Sequence, residues 1–591
     1  MVPIIMVLLW AETFVTVGKI NMEKTMLKLS RRAQGLLNNQ YRSVLKKCFI
    51  INTILAAVAG LSSPAQAASN QTVNSGDSYS DTSTNSVGAL LENLKNGMGS
   101  VVDAYNAGTP IGKLYVNTDA VNEAYSDVDG ASAKYGPWII NYGDVYIGKQ
   151  YDKTTGALSE VPGGLTLSNH HNMNADIIYW GGGIIANGGG NLSASATNLQ
   201  VINTTFKNNT ATSSELKTTM SAVGGAISSF STNEASVKNS SFLQNYVMSA
   251  GTAAGGAVYN GVGVASGGTA SRGVFASQNN IYQGNYAGNQ TSDRNLKVFD
   301  DSSHSYVSWI DTDVKAENAQ GGAVFNNGDF SSVNDIFENN FAQGKTAQGG
   351  AVYNGTYNLS GSVHNGIMEI SNSAGNTNFK QNYASGETAQ GGALYNSGKL
   401  NTNSGKFLQN YVSGKTEASG GANYNSGDYT AFNEIYVENY ADGKGSVYGG
   451  GVYNSGKITM TGTNSFISNK AGFVDNNGDL KADSGYGGAI YNSGTVINSA
   501  ISKVVFNGNQ VTAKTASGGA VFSNGSINLS NITFTDNHVN AQTAKGGAFA
   551  NASQNTDNTL TDSSFSNNSV KASTTSATAF GGAIYNSSEN T

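Results

Sequence analysis

The sequence from residue 391 to residue 425 reads GGALYNSGKLNTNSGKFLQNYVSGKTEASGGANYN. It begins and ends on a Gly-Gly-Ala or closely similar motif, and an aromatic-x-x-Asn motif, Phe407 to Asn410, lies between the two copies. The apolar pieces are too short for helices, and Gly, Asn and Ser interrupt them. The stretch therefore predicts short β-strands joined by tight turns, about three strands in each unit.

Both motifs recur in alternation along most of the chain. Successive Gly-Gly pairs are most often 28 or 29 residues apart. The interval from Gly255 to Gly321 is longer and predicts two coils, one of which has lost its Gly-Gly and keeps Tyr282. The Gly-Gly motif begins at Gly224, Gly255, Gly321, Gly349, Gly391, Gly420, Gly449, Gly487, Gly518, Gly546 and Gly581. The aromatic-x-x-Asn motif begins at Phe206, Phe242, Tyr282, Phe337, Phe379, Phe407, Tyr436, Phe466, Phe506, Phe534 and Phe565.

A repeat of this length predicts an all-β solenoid in which each unit is one coil. Parallel strands of successive coils lie about 4.8 Å apart, so each residue stacks on its counterpart. We expect Phe to lie over Phe and Asn to form amide ladders. The Gly-Gly pair predicts a corner with positive φ or without room for a Cβ. We therefore expect a parallel β-helix of about a dozen coils over residues 181–591.

The first 67 residues have the features of a signal peptide. Lys46 and Lys47 precede an apolar run, and a small-residue Ala-x-Ala site follows at Ala65 to Ala67. Residues 1–67 are therefore predicted to be removed, which places the mature start near Ala68. Because the segment before the run is long, translation from Met22 or Met26 is an alternative to an extended signal peptide.

Residues 68–180 lack the repeat. Their first part is rich in Ser, Thr, Asn and Asp, which predicts a flexible N terminus, and their second part is rich in aromatic residues. We interpret the second part as a cap over the first coil, with sugar binding by stacked rings as the alternative. The aromatic residues are Tyr135, Trp138, Tyr142, Tyr146, Tyr151, Tyr179 and Trp180.

Composition excludes several classes of function. Only 12% of the residues are charged, the net charge is −6, and the only arginines after residue 67 are Arg272 and Arg294. Nucleic-acid binding requires a basic stripe that neutralises phosphates, so this class is excluded. Cys48 is the only cysteine and lies in the predicted signal peptide. Disulfides, Cys-ligated zinc and cysteine catalysis are thereby excluded from the mature chain.

The paired GGA(I/L/V) and FxxN motifs resemble the repeats of chlamydial-type polymorphic outer membrane proteins, and more broadly of autotransporter passengers. The resemblance runs from about Phe206 to the C-terminus. It implies a right-handed parallel β-helix and an adhesin at the outer membrane surface, which binds a host or neighbouring-cell protein or glycan. It also implies an outer-membrane translocator barrel as a partner. Since the chain stops within a repeat and no such barrel follows, we expect a C-terminally incomplete chain.

An aromatic residue recurs directly after the repeat Asn and gives the candidate ligand-binding residues. Stacked at coil spacing, these residues would form a ladder, which faces either the core or the solvent. A solvent-facing ladder would be an apolar track for a host protein or glycan. Insertions at 286–318, 355–376 and 470–485 are further candidate binding elements. The ladder residues are Tyr246, Tyr286, Phe341, Tyr383, Tyr411 and Tyr440.

No catalytic residue, cofactor or metal site is predicted. The acidic group of Asp300, Asp301, Asp311 and Asp313, beside His304 and Trp309, matches no calcium-loop spacing and is interpreted as a solvated loop. The pair His170 and His171 is interpreted as a surface turn. Two alternatives to an adhesin stay open. One is a polysaccharide-active β-helix enzyme, and the other is a self-associating surface-layer or biofilm matrix protein.

Overall fold

The structure is a computed structural model. The residues that it describes belong to a compact unit made of Ala67–Leu94 and Gly108–Thr591. The predicted signal peptide lies outside the described residues, as does most of the predicted flexible N terminus. The described residues are 71–73, 113–116, 120–122, 139–141, 144–151, 155, 158–168, 171–172, 183–187, 197–212, 221–264, 270–288, 297–300, 305–308, 316–359, 362–373, 378–474, 477–553, 558–573 and 577–587.

The predicted parallel β-helix is confirmed: each coil contributes strands to three parallel sheets that run the length of the stack. We number the sheets from the Gly-Gly corner. Sheet 1 follows this corner and contains one strand per coil, which ends on an Asn in most coils. Its thirteen strands are Ile139–Asn141, Ile185–Asn187, Ile227–Ser229, Val258–Asn260, Val324–Asn326, Val352–Asn354, Leu394–Asn396, Asn423–Asn425, Val452–Asn454, Ile490–Asn492, Val521–Ser523, Phe549–Asn551 and Ile584–Asn586.

Sheet 2 comes next along the chain and contains two strand columns, the second of which carries the repeat aromatic residue. Its first column comprises Gln71–Val73, Lys113–Val116, Asp144–Ile147, Asn198–Ile202, Glu234–Lys238, Val274–Gln278, Asp329–Val333, Ile367–Ser371, Lys399–Asn403, Asp428–Phe432, Lys457–Thr461 and Thr495–Asn498. Its second column comprises Ala120–Asn122, Leu165–Ser168, Thr204–Lys207, Ser241–Leu243, Ile281–Gln283, Ile336–Glu338, Phe379–Lys380, Lys406–Leu408, Ile435–Val437, Thr463–Ile467 and Lys503–Asn507. Two long strands, Ser526–Thr535 and Thr559–Ser566, span both columns.

Sheet 3 begins directly after the repeat Asn and ends at the next Gly-Gly, again with two columns. The first column comprises His171–Asn172, Thr210–Thr212, Tyr246–Met248, Tyr286–Gly288, Phe341–Gln343, Tyr440–Gly443, Lys470–Ala471 and Ser569–Ala572. The second column comprises Ser221–Val223, Thr252–Ala254, Asn318–Gln320, Thr346–Gln348, Ser446–Tyr448, Ser484–Tyr486 and Thr578–Phe580. Strands that span both are Tyr383–Gln390, Tyr411–Ser419, Gln510–Ser517 and His538–Lys545.

Four antiparallel hairpins occur among the residues that the structure describes, inserted between strands of the coils. Two of them lie within the predicted insertions 286–318 and 355–376. The hairpins pair Lys149–Tyr151 with Leu158–Glu160, Val262–Val264 with Ala270–Arg272, Lys297–Asp300 with Ser305–Ser308, and Thr356–Leu359 with Ser362–Asn365.

Two expectations about the coils were wrong. A coil holds up to five short strands rather than three, because a turn divides sheet 2 and sheet 3 into two columns each. The interval from Gly255 to Gly321 is one coil, since Val258 pairs directly with Val324 and the Gly256 N–H donates to the Gly321 carbonyl at 3.1 Å. Its extra length lies in insertions.

Parallel pairing also extends into residues 68–180. The strand Asp144–Ile147 pairs with Asn198–Ile202, and Ile139–Asn141 pairs with Ile185–Asn187. Further towards the N terminus, Lys113–Val116 pairs with Asp144–Ile147. Coil structure therefore begins before residue 181. The N-terminal cap and the right-handed sense of the helix stay predictions.

The interior has two parts. The larger part lies between sheets 1 and 2 and contains the repeat aromatic residues, whose stacked rings have centroids 4.7–5.0 Å apart from Phe206 to Phe565. The smaller part lies between the two columns of sheet 3 and consists of Ala and Val side chains such as Ala342, Ala347 and Val412. Sheet 3 is therefore a thin two-layered fin.

Two buried Asn ladders hold the coils in register, as the sequence predicts. In the repeat-motif ladder from Asn209 to Asn568, each Nδ2 donates to the next Oδ1 at 2.9–3.0 Å. In the sheet 1 ladder from Asn260 to Asn492, the same bond is 2.7–2.8 Å. Within each ladder an amide donates to one counterpart and accepts from the other, so these buried groups satisfy one another; the exception is Asn260 Oδ1, which begins the sheet 1 ladder and has no partner among the described residues.

The Gly-Gly corner needs both glycines for different reasons. The first glycine of each motif has a φ of +59° to +69°. Except in the last motif, the second has no room for a side chain; a Cβ on Gly392, for example, would lie 2.1 Å from the Gly421 carbonyl oxygen. Both predicted features of this corner are confirmed.

The larger interior also contains two buried carboxyl groups, Asp335 and Glu434. Asp335 accepts hydrogen bonds from the Asn280 N–H and the Ser332 hydroxyl, both at 2.7 Å. Glu434 accepts one from the Gly405 N–H at 3.0 Å. Burial raises the pKa of each carboxyl group to about 7.

We expect these two groups to make the fold less stable at pH 8 than at pH 5. Their folded pKa values exceed the unfolded values of about 4, so the unfolded chain loses its protons first as the pH rises. The stability that the protonated forms contribute is complete below about pH 4 and is lost as the pH rises through about 7, by on the order of a few kcal/mol. Thermal unfolding followed by circular dichroism at both pH values measures the difference.

The matched variant is the double substitution Asp335→Asn and Glu434→Gln. Asn280 and Asn464 occupy the same positions in adjacent coils, so the interior accepts an amide at this register. The double variant should reduce the difference in melting temperature between pH 5 and pH 8. An undiminished difference would show that these carboxyl groups do not carry the pH dependence.

Candidate functional site

The predicted aromatic ladder lies on the first column of sheet 3. Its six residues stack in sequence order through the pairings of consecutive coils, with ring centroids 4.7–6.0 Å apart. The residue after each ladder position, such as Ala342 or Val412, is fully buried between the two columns of the fin. Since side chains alternate along a strand, the ladder residues are directed to the outer face of the fin.

Burial divides the ladder into two parts. Tyr246 and Tyr286 are only 4% and 2% exposed, whereas Phe341, Tyr383, Tyr411 and Tyr440 are half-buried. All six rings lie on the outer face of sheet 3, but the first two are buried there. The four half-buried residues form an outward aromatic track, and the first two are enclosed.

The stacking is regular from Phe341 onward and irregular before it. The Phe341 and Tyr383 rings are 4° from parallel at 4.7 Å, and those of Tyr383 and Tyr411 are 8° from parallel at 5.0 Å. Tyr286 is inclined by 40° to Tyr246 and by 49° to Phe341.

Polar neighbours orient two of the ladder hydroxyls. The Tyr286 hydroxyl donates to Gln343 Oε1 at 2.9 Å, and the Tyr411 hydroxyl donates to Asp442 Oδ2 at 2.8 Å. Burial raises the pKa of both tyrosines above the ordinary value, and neighbouring Tyr246 and Asp442 add to the respective shifts. These two tyrosines therefore stay neutral hydrogen-bonding groups at physiological pH.

A row of residues with left-handed backbone runs beside the ladder, at the position before each repeat Asn. Asn tolerates this conformation and Gly adopts it without strain. Every member except two carries a polar side chain. In chain order the row is Asn208, Gln244, Gly284, Asn339, Gln381, Gln409, Glu438, Ser468, Gly508, Asp536 and Asn567.

A pocket of about 340 Å³ opens where this row is interrupted at Gly284. We call it the Gly284 pocket. Sequence reasoning found four of its aromatic residues but missed the pocket itself. The available signal was the missing side chain in an otherwise polar row. The pocket is lined by Tyr246, Gly284, Tyr286, Asn339, Asn340, Phe341, Gln381 and Tyr383.

A second aromatic ladder lies on sheet 1 and was not predicted as such; its members Tyr259, Phe325 and Tyr491 are buried, and the others are half-buried. It is formed by the aromatic residue of the GGAVYN motif, and its ring centroids are 4.5–5.5 Å apart. On the adjacent column of sheet 3, Gln320 donates to Gln348 and Gln348 to Gln390, both at 2.9 Å. The ladder comprises Tyr259, Phe325, Tyr353, Tyr395, Tyr424, Tyr453, Tyr491 and Phe522.

The other candidate groups fall largely outside the described residues. This holds for the side chains of the acidic group around Asp300 to Asp313 and of the pair His170 and His171. Among the residues that the structure describes, no three His, Cys, Asp or Glu side chains come close enough to hold a metal ion. The described part of the chain contains no helix with the length and apolar character of a membrane span.

Comparison with known proteins identifies the repeat. A family model described as the Chlamydia polymorphic membrane protein repeat matches residues 562–587. This segment contains the last aromatic-x-x-Asn motif and the last Gly-Gly-Ala motif, both of which recur in the preceding coils. No curated protein and no solved structure matches the chain. The chain therefore carries repeats of the polymorphic membrane protein type.

Proposed function

We propose that this protein is a surface-displayed, adhesin-like passenger of the autotransporter type, which binds ligands on host or neighbouring cells. The observation that carries the proposal is the polymorphic membrane protein repeat at residues 562–587, since the same motifs recur through the parallel β-helix. Repeats of this kind are described for a family of membrane proteins, which supports a location at the outer membrane surface.

The proposed route to the surface follows from the same family. The predicted signal peptide at 1–67 would direct the chain across the inner membrane, and an outer-membrane translocator would carry it outward. Absence of cysteine after residue 67 suits this route, because no disulfide can form in the oxidising compartment between the membranes.

The proposed mechanism is presentation by a rigid repeat. Buried Asn and aromatic ladders hold successive coils in register, so outward rows keep a constant spacing over many coils. The half-buried track from Phe341 to Tyr440 offers stacked aromatic rings and tyrosine hydroxyls to a partner. We propose no catalytic residue and no cofactor.

Self-association is a second candidate function, and the spacing of the ladders favours it. A second copy of this chain would present rows with the same repeat distance and would match the track over several coils. Light scattering over a range of protein concentrations separates the two functions. A mass that rises with concentration supports a matrix role, whereas a constant mass together with cell binding supports adhesion.

We expect the double substitution Tyr383→Gln and Tyr411→Gln to weaken cell binding at least tenfold, equal to about 1.4 kcal/mol. The change removes two adjacent rings of the half-buried track. The fold should accept it, because Gln510 occupies the same register in a later coil. Binding of the fluorescently labelled full chain to a panel of cultured animal cells and Gram-negative bacteria measures the effect.

The control for this variant is Thr459→Gln, which places a half-buried glutamine on the outer face of sheet 2, away from the track. It should leave binding unchanged. Full binding by a folded Tyr383→Gln, Tyr411→Gln variant would contradict the role of the track. Absence of binding by the wild-type chain to every cell type would contradict adhesion itself.

A further inference from the structure

We propose that the Gly284 pocket binds one neutral hexopyranose ring of a glycan. This inference rests on the proposed ligand-binding function and identifies the class of ligand at one site on sheet 3.

The Gly284 pocket lies where one side chain is missing from the polar row. After the pocket, the row is linked across coils: Gln381 Nε2 donates to Gln409 Oε1 at 3.2 Å, and Gln409 Nε2 donates to Glu438 Oε2 at 2.8 Å. At Gly284 no side chain is present between Gln244 and Asn339. The space that a glutamine fills in other coils is therefore open to a ligand.

Aromatic rings of four successive coils line the pocket along the stack. Buried Tyr246 and Tyr286 lie on its N-terminal side, and half-buried Phe341 and Tyr383 lie on its C-terminal side. Because Tyr286 is inclined by 49° to Phe341, these two rings are not stacked face to face, whereas the later rings of the ladder are. An aromatic face that no neighbouring ring covers can stack against the C–H face of a sugar ring.

The pocket is polar at its rim and carries no charge. The rim carries the exposed amides of Asn339 and Gln381, which both donate and accept hydrogen bonds, as sugar hydroxyls do. None of the lining residues is charged. An ionic ligand would lose hydration without gaining a counter-charge, so the pocket selects a neutral ligand. Its volume of about 340 Å³ lies at the lower end of small-molecule sites, which suits a single ring.

The test fills the pocket by Gly284→Gln. The backbone accepts this change, since φ at Gly284 is +64° and the glutamines at 244 and 381 have φ of +55° and +53°. A Cβ at Gly284 would lie 3.4 Å from Gln244 Cγ, an ordinary contact. The matched control is Gly508→Gln, in the same row with φ of +66°, where the ladder register carries Gln510 instead of an aromatic residue.

The probes are soluble oligosaccharides that end in glucose, galactose, mannose, N-acetylglucosamine or N-acetylgalactosamine, titrated calorimetrically into the full chain. We expect at least one probe to bind wild type and Gly508→Gln. Gly284→Gln should weaken that binding at least tenfold, and Gly284→Asn, with its shorter side chain, should weaken it less. Unchanged melting temperatures confirm that each variant is folded.

Two outcomes overturn the proposal. The first is that no probe binds the wild-type chain, and the second is that Gly284→Gln binds as tightly as wild type. Cell binding after enzymatic removal of surface glycans distinguishes this failure from failure of the proposed adhesin function. If no sugar binds, and Gly284→Gln still abolishes attachment to deglycosylated cells, adhesion is retained and the occupant is a protein side chain.

Discussion

Replacing Asn410 with alanine is expected to lower the free energy of unfolding by about 3–5 kcal/mol, because it interrupts the buried ladder of repeat asparagines. Asn410 Oδ1 accepts hydrogen bonds from the backbone N–H and the Nδ2 of Asn382, both at 3.0 Å. Its Nδ2 donates to the Phe379 carbonyl at 3.1 Å and to Asn439 Oδ1 at 3.0 Å. In the alanine variant the buried amide groups of Asn382, the Phe379 carbonyl and Asn439 Oδ1 would each lose a hydrogen bond, and no water can reach them to replace it.

The measurement is urea denaturation of wild type and Asn410→Ala, with hydrogen exchange to locate the change. In a stack, each coil contacts mainly its neighbours, so exchange should rise first in residues 379–440 rather than uniformly. Asn401→Ala is the control, since Asn401 lies half-buried in a sheet 2 strand outside the ladder. It should cost less than about 0.5 kcal/mol. Equal effects of the two substitutions would contradict a stabilising role of the ladder.

Replacing Gly392 with alanine is expected to cost about 4 kcal/mol or more, because the added Cβ meets backbone on two sides. It would lie 2.1 Å from the Gly421 carbonyl oxygen and 2.6 Å from the backbone nitrogen of Tyr411. Neither atom belongs to a flexible side chain, so the coils must separate locally. This separation would break the hydrogen bond from the Gly392 N–H to the Gly420 carbonyl, which is 3.1 Å long.

The control for this prediction is Gly451→Ala in the same corner of a later coil. Gly451 occupies the third motif position, where other coils carry alanines such as Ala393 and Ala422. It should cost clearly less than Gly392→Ala, because its Cβ would meet one backbone atom, the Ala489 carbonyl oxygen at 2.8 Å, instead of backbone on two sides. Chemical denaturation gives the free energy of unfolding of both variants. If Gly392→Ala is as stable as Gly451→Ala, the corner has room for a Cβ at Gly392 and the prediction is wrong.

Much of the fold was predictable because every coil repeats the same contacts. An aromatic residue that recurs at coil spacing stacks on its counterparts, and an Asn that recurs in the same way can donate to and accept from the Asn of the neighbouring coils. The Phe407 and Asn410 rows therefore follow from spacing and hydrogen-bond chemistry. The corner at Gly391 and Gly392 follows from the same logic, since a Cβ at either position would lie 2.1 Å from a backbone carbonyl oxygen.

The candidate site was predictable only in part. Recurrence placed Tyr383 and Tyr411 in one row but left open which side of the strand they occupy. Their direction depends on the small residues that follow them, such as Ala384 and Val412, which pack between the two columns of sheet 3. That packing partner lies elsewhere in the same coil, and its position depends on how the coil closes.

The sequence by itself determined the parallel β-helix, the stacking of like residues and the need for glycine at the corner, because these properties depend only on spacing and local chemistry. Only the tertiary structure decided that the interval from Gly255 to Gly321 is one coil, that sheet 3 is a fin, and that a pocket opens at Gly284. These features depend on which backbones meet across the closed coil. An insertion changes the chain length of a coil without changing which strands pair. Motif spacing alone therefore does not reveal these three features.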